Sequence, residues 1–186
     1  MKKLLLLNLF MFLQYYPIYC QTTKTITFGT NGRIEIPSDF KNADLISNSS
    51  KIVVVKANLN IEGYNFYIKF SYSQLEKSYT IQELKNSKGM IFDKLTQDLE
   101  NTRIGVSKLG TTILETSPNQ IVSIDKAYGG LYSYTYKNQR IPEERKTIIY
   151  QIYYLDKLYF LTFGWSKEIE VKSQVLLQNI VSSIVF

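Results

Sequence analysis

The sequence predicts an α+β protein with an antiparallel β-sheet, one central helix and one C-terminal helix. Short runs of β-branched and aromatic residues, separated by turn residues, come before and after one stretch with helical spacing of apolar residues. A second helical stretch closes the chain. The order strands, helix, strands, helix is that of an α+β fold, and short strands joined by turns favour antiparallel pairing.

Residues 1–20 are typical of a secretory signal peptide. Two lysines precede an apolar run from Leu4 to Leu13 that only Asn8 interrupts, and the polar Gln14 follows. About ten apolar residues suit a signal sequence, whereas a membrane-spanning helix needs about 20. We therefore expect an exported protein, periplasmic or secreted, in which residues 21–186 form a single α+β domain.

Cys20, the only cysteine, lies where the leader would be cut, and three outcomes are open: cleavage after it, its acylation, or retention of the leader as an anchor. Cleavage after Cys20 discards the thiol and leaves Gln21 as the first residue, since a small side chain suits the position before the cut. Acylation of Cys20 instead retains it as a lipoprotein anchor. Contact with a membrane is expected only if Cys20 is acylated or the leader is retained.

The composition argues against several kinds of site. The leader carries two of the 22 basic residues and none of the 16 acidic ones, which leaves residues 21–186 with a formal charge of +4. That charge is too small to indicate a nucleic-acid-binding surface. Histidine is absent, and without the thiol the chain lacks the usual general base, metal ligand and thiolate nucleophile. We expect no catalytic residue, no metal and no cofactor, and a protein that is not an enzyme.

Two pairs of strands are predicted near the start of the mature chain, each pair joined by a turn. The segment "TITFGTNGRIEIP" alternates around Asn31 and Gly32, a pair that suits a tight hairpin turn, and Pro37 should end the second strand. Phe40 should pack back over this hairpin. The segments "KIVVVKA" and "YNFYIKFSY" then predict two further strands joined at Gly63.

A central helix is predicted from Thr80 onward. Thr80 and Glu83 have the spacing of a capping box, in which each side chain binds a free backbone amide of the other residue. Apolar residues recur along one face of this helix, which should therefore lie on the sheet. They are Ile81, Leu84, Ile91, Leu95 and Leu99.

From Arg103 onward the pattern returns to short strands, and a helix closes the chain. The strands are "IGVSKL", "TTILETS", "QIVSIDKAY", "LYSYTYK", "RKTIIYQIYYL" and "LYFLTFGW". The predicted turns between them fall at Gly110, Pro118 with Asn119, Gly129 with Gly130, residues 138–142, and Asp156 with Lys157. The C-terminal helix has apolar residues at Val171, Val175, Leu176, Ile180 and Ile184.

Four features of the chain match the layout of a known family. They are "GRIEIPSDF", a strand that ends in proline with an aromatic residue three positions later; the central amphipathic helix; the hairpin "IIYQIYYLDKLYFLTFGW"; and a closing helix that runs into "NIVSSIVF". Together they resemble the PsbP-like family, which includes the photosystem II extrinsic subunit, a Ran-binding nuclear-import factor and DcrB-type bacterial envelope proteins. Family members often have tryptophan where this chain has Phe40. The resemblance covers nearly all of residues 21–186 and implies an αβα sandwich that acts as a non-enzymatic accessory or binding protein, with no catalytic residue to transfer.

The candidate binding residues are aromatic and basic. In "AYGGLYSYTYKN" three tyrosines alternate and must point to one face of a strand. Such a face suits contact with a ligand or partner, because tyrosine combines apolar area with a polar tip; the alternative is a sheet face half-buried under a helix. Residues 139–146 form a candidate recognition loop of mixed charge. The candidates are Tyr132, Tyr134, Tyr136, Trp165, Arg140 and Arg145.

Three functions follow from these observations as hypotheses, the last of them a hydrolase with an unorthodox site of lysine or carboxylate side chains. The first is an exported non-catalytic envelope protein that acts as an accessory or protein-binding module, with another exported or membrane protein as its partner. The alternative is a small-ligand or lipid-binding module with a pocket for a small apolar ligand between helix and sheet. Nucleic acid is not expected as a partner.

Overall fold

The computed structural model describes residues 22–28, 32–43, 47–48 and 51–186, so the leader, Cys20 and the turn residue Asn31 lie outside the described residues. The strands are β1 (Thr23–Phe28), β2 (Gly32–Pro37), β3 (Lys41–Ala43), β4 (Ser47–Asn48), β5 (Lys51–Ile61), β6 (Tyr64–Tyr79), β7 (Thr111–Ile124), β8 (Ala127–Asn138) and β9 (Ile141–Ser166). The helices are α1 (Ile81–Asn86), α2 (Lys88–Ser107) and α3 (Glu170–Ser182), with a 3-10 turn at Lys167–Ile169.

One antiparallel sheet organises the fold. Its order is β3-β5-β6-β9-β8-β7, and β4 also pairs with β5. Strands β1 and β2 form a separate hairpin, which joins the chain end because the Arg33 N–H donates to the carbonyl oxygen of Val185 at 2.9 Å. The predicted α+β fold with an antiparallel sheet is confirmed.

Strand β9 folds back on itself. Its first arm, residues 141–153, pairs with β8, and its second arm, residues 157–164, pairs with β6. In a straight strand Glu144 and Lys167 would lie roughly 75 Å apart, at about 3.3 Å per residue. Their side-chain atoms Oε2 and Nζ are instead 3.9 Å apart. The two arms therefore lie side by side, as the predicted hairpin requires, and the bend falls at Leu155, which has a φ of 54°.

One face of the sheet carries the larger apolar core. Helix α3, the β1–β2 hairpin and the last residues of the chain pack against this face. The Trp165 ring is fully buried there and stacks on Phe66, with ring centroids 5.7 Å apart and planes inclined by 5°. Phe40 is buried as predicted, its ring 6.0 Å from that of Phe66.

The opposite face carries a second core beneath α1 and α2. The helix side chains in this core are Leu84, Ile91 and Leu95. They pack on tyrosines and a leucine of the sheet: Tyr128, Tyr132, Tyr134, Tyr153 and Leu158. Helices thus lie on both faces of the sheet, which confirms the predicted αβα sandwich.

The predicted central helix is two helices, and it extends further than expected. Thr80 caps α1 through the predicted capping box with Glu83, the chain turns at Ser87, and α2 runs on to Ser107. The predicted strand "IGVSKL" is therefore wrong, because its first four residues complete α2. Ile104 suggested a strand by alternating with Val106, but its side chain is 48% exposed on the outer surface of the helix.

Two predicted turns are also wrong. Strand β7 continues through Pro118, with a bulge between Ser117 and Gln120. Because β7 is an edge strand, one of its sides has no neighbouring strand, and a proline there can lack its N–H without losing a hydrogen bond of the sheet. Gly129 and Gly130 lie within β8, and the turn falls instead at Asp125 and Lys126.

The buried stripe of α3 differs from the predicted one. Val171 and Val175, which belong to the apolar pattern that predicts this helix, are 78% and 40% exposed. The buried positions are Ile169, Ser173, Leu177, Ile180 and Ile184. Because one of the buried positions is a serine, a prediction that follows apolar residues alone is shifted toward the neighbouring face of the helix.

We expect Gly130→Ala to lower the free energy of unfolding by about 1–3 kcal/mol, as overpacking does. A Cβ at this position would lie 2.5 Å from Leu95 Cδ1 and 2.8 Å from the carbonyl oxygen of Gln120. The matched control is Gly105→Ala in α2, where a Cβ meets nothing within 4 Å. It should stabilise the protein by about 0.5–1 kcal/mol, because alanine is the better helix former. Urea denaturation of both variants measures the difference, and equal effects would contradict this account of how α2 packs.

Candidate functional site

Helices α1 and α2 cover only half of their face of the sheet. They contact β7 and β8. On the same face, the outward side chains of β3, β5, β6 and the second arm of β9 include the exposed Lys56 and Asn58, which alternate with the buried Val55, Ala57 and Leu59 of the other face. We call this uncovered half the open face. It consists of Lys41, Lys56, Asn58, Asn60, Asn65, Tyr67, Lys69 and Thr162.

The strand register places basic side chains next to each other on the open face. Lys56 and Lys69 are direct cross-strand partners, and Thr162 continues their row. Asn58 is the partner of both Lys41 and Tyr67 in the adjacent row. Direct partners in an antiparallel pair have Cβ atoms about 4.5–5.5 Å apart, so the Lys56 and Lys69 side chains leave the sheet side by side.

A group of hydroxyls lies at the border between the open face and the half that the helices cover. The Tyr67 ring lies across Gly164, so closely that a Cβ added to Gly164 would come within 2.1 Å of the ring. The Tyr67 hydroxyl lies 3.1 Å from Thr147 Oγ1. Thr147 is in turn the strand partner of Tyr134. Burial raises the pKa of Tyr67 and of Tyr134 above the ordinary tyrosine value. Both phenols are therefore neutral near pH 7 and offer hydrogen bonds rather than a general base.

The structure separates the predicted aromatic residues. Tyr132 is 3% exposed beneath α2, and Tyr134 is buried in the same core. Tyr136 is half-buried at the edge of the open face, its ring 5.7 Å from that of Tyr134. Trp165 lies in the core of the opposite face with no exposed surface. A partner at the open face would therefore reach Tyr136 and not Trp165.

The two predicted arginines also differ in their surroundings. Arg145 is the strand partner of Tyr136, and its guanidinium lies 3.8 Å from a Glu143 carboxylate oxygen and 3.5 Å from the Asn65 carbonyl oxygen. It therefore borders the open face. Arg140 is exposed in a turn of only two residues, because residues 141–146 of the predicted recognition loop belong to β9. The binding role of all six residues stays a prediction.

The reasoning from sequence did not identify Lys41, Lys56 and Lys69. The alternation in "KIVVVKA" and "YIKFSY" does show two of these lysines at outward positions of apolar strands. Their pairing depends on the register between β5 and β6, which the alternation alone does not determine.

Polar contacts fasten α2 to the covered half of the sheet. Asp98 accepts hydrogen bonds from Gln151 Nε2 at 2.7 Å and from Lys94 Nζ at 2.9 Å. The Thr102 hydroxyl lies 3.5 Å from that of Tyr132. Since these groups are engaged with one another across the helix–sheet contact, we assign them to packing rather than to recognition.

The described part of the chain holds no group of three or more acidic, histidine or cysteine side chains that suits a metal ion. It also has no helix that is long and apolar enough to span a membrane. A depression of about 320 Å³ lies between α3 and the sheet near Tyr150 and Gln178, and it is open to solvent. Beneath α2, the space where a lipid pocket was predicted is occupied by the core residues Leu84, Ile91 and Leu95.

No protein-family model and no curated protein matches this sequence. The solution structure of cyanobacterial PsbP (CyanoP) from Synechocystis does match, with a TM-score of 0.52 and 13% identity over 91% of this chain and 95% of that chain. The chain has a PsbP-like fold. A crystal structure from Bacteroides thetaiotaomicron has a TM-score of 0.49 and 12% identity, over 89% of this chain and 48% of that chain. At such identities the likeness concerns the PsbP-like fold and no individual site residue.

The buried phenols predict how the PsbP-like domain responds to alkali. Burial raises the pKa of six tyrosines, in the case of Tyr159 to about 12: Tyr67, Tyr132, Tyr134, Tyr150, Tyr153 and Tyr159. Above about pH 10 the unfolded chain loses these protons before the folded one, so the free energy of unfolding should fall steeply as pH rises from there.

The variant Tyr134→Phe tests the origin of this loss. It removes one buried phenol, so the slope of unfolding free energy against pH should become shallower by up to about 1.4 kcal/mol per pH unit. Chemical denaturation across the alkaline range measures both slopes. An identical slope for the variant would mean that the Tyr134 phenol ionises freely in the folded protein.

Proposed function

We propose that this chain is an exported, non-catalytic protein of the PsbP-like family that acts as an accessory protein-binding module, with the open face as its contact surface. The PsbP-like fold supports the family, and the leader-like residues 1–20 support export to the periplasm or beyond the cell. The partner is another exported or membrane protein, because only such proteins share that compartment.

The observation that carries this proposal is the unequal covering of the sheet. One half of one face lies under helices, while the open face presents amides, hydroxyls and ammonium groups from four adjacent strands. Small-molecule sites are concave and bury most of their ligand, whereas this surface is a continuous stretch of sheet. Tyr136 and Arg145 border it, and these two residue types are enriched where proteins bind each other.

The non-catalytic part of the proposal rests on chemistry. The chain has no histidine, and the phenols next to the open face have raised pKa values that keep them protonated. The lipid-binding alternative is not favoured, because apolar side chains fill the space between α2 and the sheet.

Site-specific photo-crosslinking in the native host tests the contact surface. A photoreactive residue in place of Asn58, on the open face, should capture a discrete exported or membrane protein. Asn179, an exposed asparagine of α3, is the matched control and should capture none. Capture at Asn179 with none at Asn58 would place the contact surface elsewhere and reject the open face.

The intact mass of the protein purified from its own host tests the leader. We propose cleavage after Cys20, which gives a chain that starts at Gln21. A chain that starts at an acylated Cys20 would place the protein on a membrane, and a mass that includes residues 1–20 would exclude cleavage altogether.

A further inference from the structure

The open face contains an unfavourable contact between like charges. Lys56 and Lys69 are exposed and directly opposite each other across β5 and β6. Like charges in this arrangement destabilise an antiparallel pair. Lys41, also exposed, projects from the same face one strand away and adds a third positive charge.

Nothing in the described residues neutralises these three charges. The ion pairs of the described residues involve other cations, namely Lys94, Arg103, Arg145, Lys146, Lys157, Lys167 and Lys172. The neighbours of the three lysines on the open face are neutral amides and hydroxyls, at Asn58, Tyr67 and Thr162. Within the described residues, the repulsion is therefore not compensated by an ion pair.

We propose that the open face binds an acidic polypeptide segment of the partner protein through Lys41, Lys56 and Lys69. This inference rests on the proposed function, since it specifies the chemistry of the partner at the same surface. A carboxylate placed between Lys56 and Lys69 replaces repulsion with two attractive contacts. Complementary charge of this kind selects the partner and speeds its association.

The neutral groups of the open face favour a polypeptide over a lipid surface. The side-chain amides of Asn58 and Asn65 each donate and accept hydrogen bonds, as peptide groups require, whereas the Asn60 side-chain oxygen already accepts the Gly63 N–H at 3.0 Å. Among the side chains that the structure describes, the large exposed apolar ones lie on other elements, such as Met90 and Phe92 of α2, and none is among residues 55–61 of β5 or on β6. The open face therefore offers nothing that would insert into the apolar part of a bilayer.

A synthetic oligoglutamate peptide is the first probe. Titrated into the full mature protein, it should shift the backbone amide resonances of β5 and β6 and leave those of α3 unchanged. Its affinity should fall as salt is added, because the screening length drops from about 10 Å at 0.1 M to about 3 Å at 1 M. Binding at α3 with no shifts in β5 and β6 would overturn the inference.

Charge-reversal variants separate this surface from the overall charge of the protein. We expect the double variant Lys56→Glu and Lys69→Glu to weaken peptide binding about tenfold or more. The matched control reverses two other exposed lysines, Lys108 and Lys126, with the same change in net charge and an expected effect within about twofold. Equal losses in the two double variants would overturn the inference.

A neutral substitution of Lys56 distinguishes a role in recognition from a role in stability, because the two roles predict opposite changes in melting temperature. Lys56→Gln removes the repulsion with Lys69, so the melting temperature of the free protein should rise, by roughly 1–3 °C. The same variant should bind the peptide less tightly. A lower melting temperature would show that Lys56 serves the fold, and would contradict a role in recognition.

The remaining outcomes distinguish an acidic polypeptide from an anionic lipid as the ligand. They also separate failure of this inference from failure of the proposed function. Binding to vesicles that contain an anionic phospholipid, with none to oligoglutamate, would replace the acidic polypeptide by a lipid surface. If Asn58 captures a partner whose contacting segment lacks acidic side chains, the present inference fails and the proposed function stands. If neither Asn58 nor Asn179 captures a protein, the proposed function itself fails.

Discussion

The rest of the structure depends on the fold-back of β9. Its two arms lie between β6 and β8, so this strand alone joins the two halves of the sheet. The bend at Leu155 is held from outside, since Gln74 Nε2 donates to the carbonyl and carboxylate oxygens of Asp156 at 3.0 and 2.7 Å. At the open end, the ion pair between Lys146 and Glu170 (2.7 Å) ties the first arm to the start of α3. Both ends of the hairpin are therefore held by contacts outside it.

This arrangement explains why one half of the sheet face is left open. The chain leaves the sheet at the end of β6 and must return at the far edge as β7, across the two arms of β9 and across β8. Neighbouring strands are about 4.8 Å apart, so this distance is roughly 19 Å, which a helix as long as α2 readily spans. The helices consequently lie over β7 and β8. Strands β3 and β5 lie on the other side of β6, where no described helix returns over them.

Periodicity in the sequence predicts the fold better than it predicts the site. The hairpin of β9 and the capping box at Thr80 depend on local spacing, and both were predicted. Gly129 and Gly130 suggest a turn by residue type. A Cβ on Gly129 would instead lie 1.9 Å from the Gln151 carbonyl oxygen, and one on Gly130 would lie 2.5 Å from Leu95 Cδ1, so both positions require glycine for tertiary reasons that the sequence does not show. The pairing of Lys56 with Lys69 likewise arises from register, which forms with the sheet and leaves no local signal.

The fold places the aromatic core and the proposed contact surface on different faces of the same strands. In β6, Phe66 and Phe70 enter the aromatic core while Tyr67 and Lys69 alternate with them toward the open face. Cores tolerate exchange of apolar residues when volume and pattern are kept, and an uncovered face tolerates polar exchange even more freely. A PsbP-like fold can therefore persist at 13% identity. It follows that the charges of the open face are free to differ between proteins of this fold, so our proposal for a partner rests on the lysines of this chain alone.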